Sequence, residues 1–183
     1  THASLGRQDP QNMKFRLVAF IPLAILALLA GPAAGASAAP ANDNFASAQA
    51  LTGALPITAA ANNVGATAEA GEPEAFSIPP RSSVWFKWVP ASTVDAVLDM
   101  CHANFSAGDR YDTPVMGIYS GTTLATLVKV ADTNGPCSLR FHATAGVTYN
   151  FQVDYYDLEG NFDLNLRQLT PPANDNFATP TVL

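Results

Sequence analysis

Several stretches of the chain alternate between apolar and polar residues with a period of two, the pattern of β-strands that are buried on one face. The longest covers 147–155, where apolar residues at every second position are separated by Thr, Asn, Gln and Asp. The same alternation occurs over 138–144, 161–167 and 84–88. After residue 38, no stretch keeps the apolar spacing of a helix over three turns. The pattern therefore predicts an all-β domain.

Four further strands are predicted, which brings the total to about eight. One covers 94–100, and the others lie near 63–68, 114–120 and 126–131. Strands of this length, with one apolar and one polar face, bury their apolar faces against each other in two packed layers. The expected architecture is an antiparallel two-sheet β-sandwich.

Turn-forming residues separate the predicted strands. Pro90-Ala91-Ser92 follows the strand at 84–88, and Glu159-Gly160 precedes the last strand. Ala145-Gly146 lies between the strands at 138–144 and 147–155, and so short a connection is typical of a hairpin. We therefore expect these two strands to pair with each other.

The N-terminal region has the sequence of a secretory leader. After Met13 come two basic residues and then the apolar run 17–30, which is shorter than the ~20 residues of a membrane-spanning helix. Ala36-Ser37-Ala38 matches the small-residue pattern of a cleavage site. We expect 13–38 to be a signal peptide and 1–12 to be upstream, non-native sequence. The mature protein would be secreted, on the cell surface or in the periplasm, without membrane contact; an uncleaved anchor is the alternative.

One heptapeptide occurs twice in the chain. Residues 40–46 read Pro-Ala-Asn-Asp-Asn-Phe-Ala, and residues 172–178 repeat them without change. The repeat predicts one complete domain at 41–170, followed at 171–183 by a proline linker and the opening of a second, truncated copy. Further repeats of the same chain are therefore expected partners. The alternative is that the chain ends naturally where it does.

Composition and charge exclude several classes of protein. Of 183 residues, 48% are hydrophobic and 13% charged, which is unlike a disordered tail. The formal net charge is -6 and there is no basic run, so nucleic-acid binding is not expected. Two cysteines and three histidines are too few for the usual structural zinc sites. The residues around Ser120 lack the spacing of a serine-hydrolase motif, and no catalysis by this domain is expected.

Short motifs are spread over nearly all of 41–168. They comprise Asn42-Asp43-Asn44-Phe45, the stretches 63–69, 83–88, 98–101, 118–121 and 143–149, and Gly160-Asn161-Phe162. Together they resemble the bacterial pre-peptidase C-terminal domain family. The resemblance implies a jelly-roll-like β-sandwich in a secreted bacterial protein, often appended to peptidases and related to the collagen-binding modules of clostridial collagenases. Here the domain directly follows the leader and is then repeated, so the resemblance alone does not imply an accessory role after a protease domain.

Cys101 and Cys137 are the only cysteines, and each borders a predicted strand. Disulfides persist in exported proteins, so we expect a structural bridge between them. His102 adjoins Cys101, but neighbouring residues of a strand point to opposite faces, which argues against a thiolate nucleophile with that histidine as its base.

The opening motif provides a candidate calcium site. Asn42-Asp43-Asn44 would supply hard oxygen ligands, with a further carboxylate from Asp132 or Asp112. Calcium binding by acidic residues near the start of the domain is what the resemblance to collagen-binding modules implies. The alternative is that Asn42 and Asp43 cap a turn while Phe45 is inserted into the core.

Three aromatic residues are candidates for ligand binding. Trp85 lies on the face of its strand opposite the apolar set, and Tyr111 and Tyr156 fall in predicted loops. Exposed aromatic side chains can bind sugar rings or protein grooves, so the expected partner is an extracellular protein or polysaccharide. For Trp85 the alternative is packing beneath neighbouring loops.

Two classes of function remain. The first is a non-catalytic extracellular module that attaches to a surface polymer or protein, or spaces other domains, within a repeat protein. The second is an accessory domain of a secreted peptidase or glycosidase whose catalytic domain lies beyond Leu183. Calcium is the one cofactor considered in either case.

Overall fold

The computed structural model describes Thr1 and residues 38–101, 114–155 and 158–170. Nine β-strands and two short 3-10 helices are present in the described domain. The 3-10 helices are Phe45–Ser47, before the first strand, and Leu124–Thr126, between the fifth and sixth. The strands are β1 (Gln49–Leu51), β2 (Ile57–Asn62), β3 (Val84–Trp88), β4 (Val94–Asp99), β5 (Val115–Ser120), β6 (Val128–Asn134), β7 (Ser138–Ala143), β8 (Tyr149–Asp154) and β9 (Asn161–Gln168).

Several sequence-based predictions concern residues outside this description. They are the signal peptide up to residue 37, the upstream segment after Thr1, and the second copy at 171–183. These three predictions stay as expectations.

The strands form two sheets, confirming the predicted antiparallel β-sandwich. The five-stranded sheet has the order β1-β3-β8-β5-β6, and the four-stranded sheet has the order β2-β9-β4-β7. Only β5 and β6 are both consecutive and paired; every other connection between described strands passes from one sheet to the other. From β2 to β9 this is the strand order of a jelly roll. The additional strand, β1, pairs in parallel with β3.

Six predicted strands form within two residues of their expected bounds, and β6 begins two residues later and ends three residues later than predicted. The strand predicted near 63–68 is wrong, because the strand in this part of the chain is β2 and Asn63 follows its end. Asn63 is fully buried. Its Nδ2 donates to the carbonyl of Leu158 at 2.9 Å, and its Oδ1 accepts from the N–H of Gly160 at 2.9 Å. Asn63 thus fastens the end of β2 to the loop before β9.

The hairpin predicted at Ala145-Gly146 is also wrong. β7 pairs with β4, whereas β8 pairs with β3 and β5 in the other sheet. A turn does form at these two residues, but it connects the two layers. The turn sequence therefore predicted the reversal of the chain but not the partner of the strand that follows.

The main core lies between the two sheets and is rich in aromatic side chains. Val84, Phe86 and Trp88 point into it, as the alternation predicted. Phe86 is directly opposite Phe151 on β8, and both rings are fully buried. Each large apolar side chain buried in this way contributes roughly 1.5–3 kcal/mol. The core accounts for the alternation of β9, whose apolar residues are buried and whose polar residues are largely exposed.

The two outer faces of the sandwich differ. Every residue of β8 is buried, so the central strand of the five-stranded sheet is covered on both faces. The covering chain includes residues near 42–48 and 67–83, which contact the outer side of β3. The outer face of the four-stranded sheet instead carries mostly exposed polar side chains. In the described ranges, no helix has the length and apolar character needed to cross a membrane.

Candidate functional site

A second apolar cluster lies on the outer side of the five-stranded sheet. We call it the outer cluster; it consists of Phe45, Ala48, Trp85, Tyr119, Leu124 and Leu127. Trp85 is at its centre, with the ring of Phe45 edge-on at 5.1 Å and the ring of Tyr119 at 6.1 Å between centroids. The ring of Tyr119 lies over Gly117, where a Cβ would clash with the phenol. A side chain at position 117 would therefore displace the Tyr119 ring.

The opening motif is attached to this cluster by hydrogen bonds. Asn42 makes two hydrogen bonds with the backbone of Trp85: its side-chain Nδ2 donates to the Trp85 carbonyl at 3.0 Å, and its backbone carbonyl accepts from the Trp85 backbone N–H at 2.9 Å. The carboxylate of Asp43 accepts from both the N–H and the hydroxyl of Thr67. The N–H of Phe45 donates to Glu69 at 3.0 Å. The motif thus joins β3 to residues 67–83, which we call the covering segment.

Glu72 organises the polar groups beside the outer cluster. Its carboxylate accepts from Trp85 Nε1 at 3.0 Å, from Gln152 Nε2 at 3.2 Å and from the Ser83 hydroxyl. It also accepts from the N–H of Glu69 at 3.1 Å. Three of these four donors belong to the buried residues Ser83, Trp85 and Gln152, which would otherwise lose a hydrogen-bond acceptor. Glu72 therefore has a structural role.

Tyr119 and Asp132 lie at the edge of this network. Burial, together with the nearby charges of Asp132 and Glu72, raises the pKa of the Tyr119 phenol. The phenol is therefore neutral and donates to Gln152 Oε1 at 3.1 Å. Burial opposes ionisation of Asp132, but hydrogen bonds from Lys129 and the N–H of Phe76, with the charge of Lys129, outweigh it and lower its pKa. Asp132 is thus an ionised carboxylate that holds the covering segment.

The predicted calcium ligands lie in two places. Asn42-Asp43-Asn44 lies beside β3, where the first two residues bind protein groups as described above. Asp132 lies on β6 and binds Lys129 and the covering segment. Within the described ranges, no three His, Cys, Asp or Glu side chains are grouped as metal ligands. Asp112 lies outside the description. Asn42 and Asp43 bind residues distant in the chain and do not cap a local turn, and Phe45 packs half-buried on Trp85 and is not inserted into the main core. Calcium binding stays a prediction.

Substitution of Asp43 distinguishes a purely structural contact with Thr67 from a calcium ligand. We expect Asp43→Ala to lower the unfolding free energy by about 1–2 kcal/mol, because the N–H and hydroxyl of Thr67 lose a charged acceptor. The loss should be the same in millimolar calcium and in chelator, measured by thermal melting. A ligand bound only to the folded state stabilises it, so calcium-dependent melting that disappears in Asp43→Ala would establish the metal site instead.

The structure corrects one aromatic prediction. Trp85 has no exposed surface and its indole N–H is bonded to Glu72, so the prediction that it forms an exposed binding surface is wrong. The physical reason is that the covering segment packs over the outer face of β3. Tyr111 and Tyr156 lie outside the described residues, and their predicted role in binding stays a prediction.

The predicted disulfide is present between Cys101 and Cys137. It links the chain just after β4 to the chain just before β7, and the N–H of Met100 donates to the Cys137 carbonyl at 2.8 Å. The bridge therefore reinforces the pairing of β4 with β7 at the end where Asp99 is opposite Ser138. A disulfide is compatible with an extracellular protein. With its sulfur in the bridge, Cys101 has no thiolate to act as a nucleophile.

The outer side of the four-stranded sheet is the second candidate region. We call it the open face; its outward side chains include Thr58, Asp95, Asp99, Ser138, Arg140, His142, Asp163, Asn165 and Arg167. His142 Nδ1 lies 2.8 Å from Asp95 Oδ1, and both side chains are about two-thirds exposed. Arg167 lies 3.6 Å from Asp99. The open face therefore presents charged and hydrogen-bonding groups on one rigid surface.

Two arginines flank an apolar residue at the middle of the open face. Val97 pairs with Arg140 on one side and with Arg167 on the other. Neighbouring strands lie ≈ 4.8 Å apart, so the two arginine backbones are roughly 10 Å apart. Val97 itself is buried to 1% exposure, while both arginines are exposed. Arginine side chains are well suited to bind carboxylates and other planar oxygen groups.

An open cleft at one end of the sandwich has a different character. Its lining includes Leu55, Trp88, Val89 and Val94, and its polar side chains are Ser92 and Gln168. Among the described residues, no ionisable side chain lines this cleft, and none of them offers it an acid, a base or a charged nucleophile. Ser120 lies outside this cleft, and its hydroxyl donates to the carbonyl of Val128.

No protein family, curated protein or solved structure matches this chain in the three comparisons made.

Proposed function

We propose that the domain is a non-catalytic extracellular β-sandwich module that attaches to a surface polymer or protein within a larger repeat protein. The observation that carries the proposal is the contrast between its two outer faces. One is covered by the domain's own chain, with Trp85 buried and Glu72 bonded to four donors. The other, the open face, presents exposed Asp, Arg, His and Asn side chains on paired strands.

The chemistry of the open face supports attachment. Arg140 and Arg167 stand on either side of Val97, and Asp95 with His142 lies one row away. Rows of donors and acceptors at fixed strand spacing suit an extended partner with repeated oxygen groups, such as a polysaccharide or a protein strand rich in carbonyls and carboxylates. The proposal includes kinship with pre-peptidase C-terminal domains, which the short motifs of the sequence support.

Pull-down on insoluble polymers tests the attachment. The full chain is expected to be retained on at least one of fibrillar collagen, cellulose and chitin. The double variant Arg140→Ala/Arg167→Ala should lose tenfold or more in affinity, because each arginine contributes charge-assisted hydrogen bonds of about 1.5–3 kcal/mol. Retention is measured by depletion of the chain from solution.

A matched control removes the same charge from the other sheet. Lys87 and Lys129 are exposed residues of the five-stranded sheet, and the double variant Lys87→Ala/Lys129→Ala should bind as the unaltered chain does. An equal loss of affinity in both double variants would show that attachment depends on net charge and not on the open face. If the chain is retained on none of these polymers, the result would contradict attachment and favour a spacer between domains.

A further inference from the structure

The docking of residues 40–46 on the sandwich depends on groups that recur at 172–178. The amide of Asn42 binds the Trp85 backbone, the carboxylate of Asp43 binds Thr67, and the ring of Phe45 packs edge-on against the Trp85 indole. The second heptapeptide has the same residue at every one of these positions, because the two sequences are identical. It therefore carries the full set of groups recognised by this site.

The residues that follow each heptapeptide are similar but not identical. Leu51, a core residue at the end of β1, corresponds to Leu183. Ala48 is buried in the outer cluster and its N–H donates to the carbonyl of Phe45 at 3.1 Å. Proline stands at the corresponding position, 180, and has no N–H to donate. The φ of Ala48 is -47°, close to the angle that a proline ring imposes. We call residues 40–51 the first segment and residues 172–183 the second segment. In the same site, the second segment would make one hydrogen bond fewer than the first.

The first segment also occupies a position from which a segment can be exchanged. Residues 40–51 precede the body of the sandwich, and β1 is a three-residue strand at the edge of its sheet. Exchange of an identical element between copies replaces each lost contact by the same contact, so it requires little net free energy. Segments of this kind open locally more easily than the central strands of a core.

We propose that the site on β3 which holds residues 40–46 also binds residues 172–178 of a second copy of this chain. The occupant replaces the first segment, with its asparagine on the Trp85 backbone, its aspartate on Thr67 and its phenylalanine against the Trp85 ring. Copies joined in this way are linked head to tail without covalent bonds. Such an interface produces an open array, unless the rotation between successive copies closes the array into a ring. The inference rests on the repeated heptapeptide and is independent of attachment through the open face.

Binding of a synthetic peptide to the full chain tests the proposal. The acceptor is the double variant Phe45→Ala/Phe177→Ala, in which the resident segment is weakened and the chain's own second segment cannot compete. The probe is a fluorescein-labelled peptide with the sequence of residues 171–183, followed by fluorescence polarisation. We expect saturable binding to the acceptor, and at least tenfold weaker binding to the unaltered chain, whose site is occupied.

Two peptide variants make the test specific. Phe177→Ala in the peptide should weaken binding at least tenfold, because it removes the ring that packs on Trp85. Pro180→Ala should strengthen binding by about three- to tenfold, because it restores the N–H that Ala48 donates. Equal binding to the acceptor and to the unaltered chain, an unchanged affinity for the Phe177→Ala peptide, or no binding to the folded acceptor would overturn the proposal.

A second acceptor guards against failure of the first to fold. Asp43→Ala/Phe177→Ala keeps the resident phenylalanine and loses only the bonds to Thr67, which lie on an exposed part of the site. The same peptides should rank in the same order on this acceptor, and a reversed or flat ranking would overturn the proposal. Because no surface polymer is present in these measurements, their outcome is separate from that of the pull-down.

Discussion

Replacement of Trp85 by alanine is expected to lower the unfolding free energy by about 3–5 kcal/mol, the range for removing a buried large aromatic side chain. The indole fills the centre of the outer cluster and has no exposed surface. Its loss leaves a cavity against Phe45 and Tyr119 and removes one of the four donors to Glu72. Urea unfolding followed by far-UV circular dichroism measures the change.

Two control substitutions separate the components of this loss. Trp85→Phe keeps most of the packing but removes the indole N–H, so it should cost about 1–3 kcal/mol through the weakened hydrogen bonding of Glu72. Lys87→Ala, two residues further along β3 and exposed, should stay within about 0.5 kcal/mol of the unaltered chain. A Trp85→Ala variant as stable as Lys87→Ala would show that the outer cluster does not contribute to folding.

Removal of the disulfide is the second change expected to have a large effect. Cys101 and Cys137 are separated by 36 positions, and opening a loop of this length should cost roughly 3–4 kcal/mol in the chain-entropy model. The expected result for Cys101→Ser is a lower urea midpoint, measured without reductant, and loss of any further response to reductant.

The partner cysteine provides the control for this experiment. Cys137→Ser should be destabilised as much as Cys101→Ser, and the double variant should be no less stable than either, since all three lack the same bond. The unaltered chain in reductant should approach their stability. Unequal losses, or full stability in the presence of reductant, would contradict a structural role for the bridge.

Much of the fold could be predicted because alternation and burial agree within most strands. In β3 and β9, apolar residues face the core at every second position, and the sequence pattern places both strands correctly. β1 was not predicted, because three residues are too few to show a period. β2 was misplaced because its run of alanines has little β-propensity and no contrast between its two faces.

The position of Trp85 shows where local pattern ceases to be informative. Alternation correctly placed it on the face of β3 opposite the main core. Whether that face is covered depends on Glu72 and the segment around it, which contact β3 only in the folded chain. The same holds for Ala145-Gly146, where a turn forms but the pairing of the next strand is decided by distant residues. The disulfide was predictable because only two cysteines are present.

The place of β9 in its sheet has a consequence for the order of events in folding. β9 lies between β2 and β4, and a hydrogen bond joins Thr58 to Asn165, 107 positions later in the chain. Until β9 is in place, β2 lacks its partner in the four-stranded sheet, and only the β4–β7 pair of that sheet can cover the main core. Pairings so distant in sequence form slowly. The four-stranded sheet is therefore completed, and the domain compacts, only after the residues of its last strand have been synthesised.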